Sequence, residues 1–176
     1  QNFPRHLGAK RQCAERRGNR IRRVDKQGLI TTLVGTGNRG YNGDGVHSSK
    51  ADIAVPETLL IDRAGNLIFC DRSNSRVRKI DLQSGMITTI AGTGKAGFSG
   101  DGGLATSAEI SFPYGLAVDT SNNLYIADTD NHCIRKVDAK SGIISTVAGT
   151  GAQGFSGDGG SATKATFYRP HIVTID

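Results

Sequence analysis

No tryptophan, one methionine, four prolines and three cysteines occur among the 176 residues, and no apolar run approaches the roughly 18 residues that a membrane-spanning helix needs. A spanning helix is therefore excluded. No apolar stretch follows the basic N-terminus, so any secretory signal is expected to have been removed. With Met86 as the only methionine, the chain opening at Gln1 reads as a processed form or a piece of a longer protein. Cys13, Cys70 and Cys133 are odd in number and none sits in a CxxC spacing, which excludes zinc-knuckle and thioredoxin-type chemistry. Helical periodicity is missing as well. Glycine, by contrast, is abundant, at 24 residues. That is about twice the usual share, marking a turn-rich globular chain of one domain with room for a sizeable core but not for two independent ones.

The formal net charge of +6 is unevenly placed. Residues 1–23 hold eight basic side chains against Glu15 alone, whereas the remainder holds 14 basic and 15 acidic ones. The excess thus belongs to a terminal segment, expected to be irregular over residues 1–13, and not to the body of the protein. Arg16, Arg17, Arg20, Arg22 and Arg23 are the candidate anion contacts, for a nucleic-acid partner. The plainer reading of these arginines is a charged strand edge that resists aggregation.

An internal repeat organises the rest. Gly-Thr-Gly begins at Gly35, Gly92 and Gly149, Gly-Asp-Gly at Gly43, Gly100 and Gly157, and a lone proline falls at Pro56, Pro113 and Pro170, every spacing being 57 residues. Residues 35–91 laid on 92–148 without a gap match at 24 of 57 positions, and the pattern reaches back to about Ala14 with one residue fewer between Asp25 and Gly28. A period of this length means a solenoid or propeller, in which one repeat cannot bury its own faces alone.

Within a copy the pattern predicts four strands: Gly115–Asp119, Asn123–Asp128, Cys133–Asp138 and Gly142–Gly149, rich in Ile, Val, Leu and Tyr and divided by turn formers. Three of the four are nearly continuously apolar, as expected of a sheet covered on both faces. Repeated antiparallel four-stranded sheets of this kind predict the blades of an all-β propeller. About 20 Gly-rich residues then cross to the next blade, with one helical turn in ATSAEI before Pro113. The crossing and the turn after the second strand open on one rim, the expected working face.

The strings GFSGDGG, GLAVD, NLYIADTDNHCIRKVD and GIISTVAGTG resemble the NHL repeat over roughly residues 14–176. The resemblance implies blades of a six-bladed ring serving as an interaction platform, in contexts from bacterial envelope proteins to animal cell-surface and RNA-regulatory proteins, with a few lyases. The chain supplies about three blades, with an inner strand expected at residues 171–176, so closure calls for a second chain or for further blades.

A residue present in every copy serves the blade, and function should show where copies differ. By that rule Asp44, Asp101 and Asp158 are turn-makers, and Asp71 with Asn74, like Asp128 with Asn131, bond local backbone. One acid per loop cannot supply six oxygens to calcium. The position after the repeating proline holds Glu57, Tyr114 and His171, three different chemistries expected to converge on the central funnel as ligand or partner contacts. The rim loops add Arg72 and Ser73 in one copy and Asp128, Asp130 and His132 in the next. Tyr41, Phe98 and Phe155 recur in the crossings and are expected to pack on neighbouring blades.

No catalytic spacing is present: GxSxG is absent and the GxG triplets lack a P-loop lysine. The resemblance to amidating lyases implies zinc held by histidines near the centre, and the chain offers His171 alone there. The expectation is a non-catalytic module without cofactor or metal, binding a protein or peptide. The alternatives are an amidating-lyase or streptogramin-lyase-like enzyme, an RNA-binding segment, or a structural spacer. Glycine-rich crossings lean toward an exported or envelope protein, free thiols lean against it, and the compartment stays open.

Overall fold

A computed structural model describes residues 11–15 and 18–176 of the chain. Among the described residues, eleven strands form three antiparallel sheets, each in chain order. The first has three strands, β1 (Arg11–Glu15), β2 (Arg20–Val24) and β3 (Ile30–Val34). The second has β4 (Pro56–Ile61), β5 (Leu67–Asp71), β6 (Arg76–Ile80) and β7 (Ile87–Ala91). The third has β8 (Leu116–Val118), β9 (Leu124–Asp128), β10 (Cys133–Val137) and β11 (Ile144–Ala148). Aspartates make the turns: Asp81 Oδ1 accepts the N–H groups of Gln83 and Ser84, and Asp138 Oδ1 those of Lys140 and Ser141. Such side-chain acceptors close a hairpin without help from the core.

Hydrophobic burial sits between sheets and not within one. Ile21, Val34, Ile53, Leu67, Phe69, Ile80 and Ile87 fill the gap between the first and second sheets. Cys70, Val77, Ile110, Leu124, Ile126 and Ile144 fill that between the second and third. The middle sheet thus faces apolar neighbours on both sides, and all five residues of β5 are buried. Innermost strands β4 and β8 lie side by side, so the sheets fan out from a common hub, as propeller blades do.

Each crossing is stapled in the same way. Gly92 N–H donates to Ala105 O and Thr93 N–H to Ala108 O, at 2.9 and 3.0 Å, and the same pairs recur at Gly35 and Gly149. Gly92 stands at φ +91°, where a Cβ would overlap Ser75 O, so only glycine fits. A 3-10 turn follows in every copy, at Ser48–Lys50, Ala105–Ser107 and Ala162–Lys164. The first two crossings then run along the outer edge of the following sheet. Gly45 N–H donates to Ile87 O and Gly102 N–H to Ile144 O, which shields an edge that would otherwise invite pairing.

Three expectations meet a different arrangement. Composition assigned residues 1–13 to an irregular segment; residues 1–10 of it lie outside the described residues, and from Arg11 the chain instead forms β1, paired along its length with β2. The arginine-bearing β2 is consequently not an edge strand but the middle of its sheet. His171 and Ile172 approach Gly115 at the start of β8, and residues 171–176 form no strand.

Candidate functional site

The residue before each repeating proline takes positive φ: Val55 at 54°, Phe112 at 48° and Arg169 at 49°. That kink turns the chain from the crossing toward the innermost strands, β4 and β8, where the residue after the proline meets an open cleft. Glu57, Tyr114 and His171 line one open cleft of about 560 Å3 with Arg72, Tyr168 and Arg169. The Tyr114 and His171 rings stack at 4.5 Å between centroids and 4° between planes. Glu57 is buried, Tyr114 half-buried and His171 exposed. Arg72 lies over the Phe112 ring at 5.1 Å, a cation–π contact that steadies its guanidinium at the rim.

The rim loop of the third sheet, a 3-10 turn over Thr129–Asn131 closed by His132 at φ 54°, holds the far wall. Asp130 pairs with Arg169 at 2.7 Å, and His132 Nδ1 accepts the Arg169 N–H at 3.0 Å. The Thr129 hydroxyl donates to Pro170 O at 2.8 Å, and the His132 ring stacks on Tyr168 at 6.0 Å. Ser73 N–H donates to Ala54 O and holds the matching loop of the second sheet. The cleft is thus a built surface, aromatic at its centre and carrying both signs of charge.

Asp128 does not face the rim. It is fully buried, where Oδ1 accepts the Ser111 N–H and Oδ2 accepts from Asn131 and Arg135. Burial pushes its carboxyl up to about 6 in spite of those three donors. Arg20 is also engaged, donating to Gly18 O and Thr36 O, Arg22 and Arg23 are half-buried in β2, and Arg16 and Arg17 lie outside the described residues.

The repeat-wide acids prove to be more than turn-makers. Asp44 accepts from Arg78 and Asp101 from Arg135, both arginines being fully buried, while Asn74 and Asn131 reach back to Gly40 O and Gly97 O in the crossings. A β-bulge precedes each arginine and turns its side chain toward the crossing. Sequence reasoning also passed over Tyr168 and Arg169, whose counterparts are Ser111 with Phe112 and Ala54 with Val55. The signal was there, since these positions too differ between copies.

A family model of the Teneurin NHL domain matches residues 94–155. The chain is 37% identical over 137 residues to Protein SUPPRESSOR OF QUENCHING 1, chloroplastic, of Arabidopsis thaliana, covering 73% of this chain and 13% of that protein. It is 35% identical over 160 residues to NHL repeat-containing protein 2 of Gallus gallus, covering 86% of this chain and 22% of that protein. It therefore spans about a fifth or less of these curated relatives. A structural genomics protein of unknown function from Bacteroides thetaiotaomicron superposes with a TM-score of 0.71 at 26% identity, over 91% of this chain and 38% of that one. Together with the 57-residue period and the fanned sheets, these likenesses establish that the chain belongs to the NHL-repeat β-propeller family.

Proposed function

We propose that the chain is a non-catalytic interaction module whose hub cleft binds a protein or peptide. What carries the reading is the meeting of positions that vary between otherwise matching copies, Glu57, Tyr114 and His171, on one open surface with Arg72 and Arg169. Aromatic rings and arginines on a rigid, half-desolvated floor are the groups that dominate binding at protein surfaces. Glu57 and the two arginines add charges of both signs that fix the orientation of an extended partner. The residues present do not fit a lyase-type zinc site, which takes three protein ligands with one open position. His171 is the single histidine in the cleft, and no three His, Cys, Asp or Glu side chains converge among the described residues.

Selection of phage-displayed random peptides on the immobilised chain tests the proposal. Enriched peptides should bind Tyr114→Ala and Arg72→Glu at least about tenfold more weakly, and should bind a variant at the exposed Thr88 of β7 unchanged. Equal binding to all three variants would move the site away from the hub.

A further inference from the structure

The first two crossings each clasp an arginine of the sheet that follows. In the first, Arg78 Nη2 donates to Gly43 O at 2.9 Å and to Asp44 Oδ1 at 3.0 Å, while the Tyr41 ring covers the guanidinium at 4.7 Å. Arg78 has no exposed surface, so these partners stand in for the water it has lost. Residues 41, 43 and 44 thus converge on one side chain, and Asn42, set among them, is exposed.

Asn42 marks a departure of the first crossing from the other two. At its repeat position the second and third crossings hold Ser99 and Ser156, whose backbone N–H groups donate to Glu109 O and Thr166 O. In the first crossing the Asn42 side chain takes over that role. Its Nδ2 donates to Lys50 O at 2.8 Å and its Oδ1 accepts the Asp52 N–H at 2.9 Å. The glycine that follows is changed too. A Cβ on Gly100 or Gly157 would overlap Ala108 or Ala165 at 2.7 Å, whereas one on Gly43 would meet nothing within 4 Å. The Gly43 N–H makes no hydrogen bond among the described residues. Of the asparagines in the chain, Asn42 alone precedes a glycine, the residue that shields its own nitrogen least.

We propose that Asn42 is a site of spontaneous deamidation, and that its isoaspartyl product opens the clasp on Arg78. The Gly43 nitrogen, having given its proton to solvent, attacks Asn42 Cγ, an intramolecular step that needs no second molecule. As the N–Cγ bond forms, the charge gathering on Oδ1 is met by the Asp52 N–H. The Cγ–Nδ2 bond then breaks beside Lys50 O, and ammonia leaves with its third proton drawn from solvent. Water opens the resulting succinimide without any change of oxidation state. Addition at Cγ gives aspartate; addition at the backbone carbonyl carbon gives isoaspartate, whose main chain runs through Cβ and Cγ and is one carbon longer. That carbon lies between Tyr41 on one side and Gly43 and Asp44 on the other, so the ring and the two oxygens no longer fit one guanidinium together. The change runs one way, which makes it a timer in the first crossing. It is independent of what the hub binds.

Peptide mapping by mass spectrometry of the full chain, held folded in mildly alkaline buffer, reads the first half. Residue 42 should gain about 1 Da, at a rate within about tenfold of that of the same chain in concentrated urea. Asn42→Ser, the residue present in the other two crossings, should show no gain there. A folded chain in which residue 42 stays unchanged while the urea-treated chain converts would overturn the proposal, as would conversion confined to other asparagines. Melting of the isoaspartyl form, separated by ion exchange on its extra negative charge, reads the second half. It should melt lower by about 3 °C or more. Asn42→Asp has the same charge on an ordinary backbone and should lose less than half as much. An isoaspartyl form that melts with the unaltered chain, or no lower than Asn42→Asp, would overturn the opening of the clasp.

Discussion

Arg135 has no exposed surface, and neither has Asp128, whose carboxylate lies 3.3 Å away. A guanidinium cannot shed its proton, so its burial is tolerable only where acceptors surround it. Here Asp128, Asp101 and Ser99 O do so. Removing one member strands the other. Arg135→Met should lower stability by about 3–5 kcal/mol in urea denaturation, and combining it with Asp128→Leu should cost markedly less than the two single changes added. A loss under about 1 kcal/mol for Arg135→Met would mean that water reaches the pair. The clasp was hidden from sequence reasoning for a physical reason. An aspartate between glycines bonds its own turn in most settings, and nothing local announces that Asp101 has a partner 34 residues further on. The available clue was an arginine recurring inside a β-branched strand at positions 22, 78 and 135.

Strands were legible because their signals are local. Apolar runs ended by an aspartate placed β8 to β10 and one ended by a glycine placed β11, all to within two residues, and the glycine triplets placed the crossings. β1 was not legible, since Arg11–Glu15 reads as a charged coil and becomes a strand only through pairing with β2. The crossings depend on two kinds of glycine, and substitution should separate them. Gly102 has φ +82° with open space around it, whereas Gly92 combines φ +91° with close approach of the Ser75 carbonyl. Gly102→Ala should cost about 1–2 kcal/mol, from backbone strain alone. Gly92→Ala should cost about 1–3 kcal/mol more, because the strand end must retreat. Melting of the two variants side by side checks this, and equal losses would contradict the close approach.

Across the molecule, two groups of aspartates answer pH in opposite directions. Burial raises Asp128 to about 6 and raises Asp71 as well. Their folded values lie above the unfolded value near 3.8, so the native state binds protons more tightly between the two values. The contribution of each is therefore full below the unfolded value and declines as pH rises through its folded value, about 6 for Asp128. Backbone and side-chain donors in the exposed turns hold Asp81, Asp119 and Asp138 below the ordinary value, and that contribution is present above pH 4 and lost below it. Urea midpoints should therefore fall between pH 4.5 and 7, and Asp128→Asn should flatten that decline. Midpoints that climb steadily to pH 7 in the unaltered chain would contradict the assignment. At this scale the hub was legible from variation among copies at Glu57, Tyr114 and His171, while the walls added by Arg72, Tyr168 and Arg169 depend on kinks before the prolines that composition does not reveal. The clasp also shifts where one module ends and the next begins. A cut between Phe112 and Pro113 would part Asp101 from Arg135, whereas a cut between Ala91 and Gly92 keeps both in residues 92–148. Lock and key then travel in one cassette, and an array lengthened at that seam gains a blade together with the fastening that holds it.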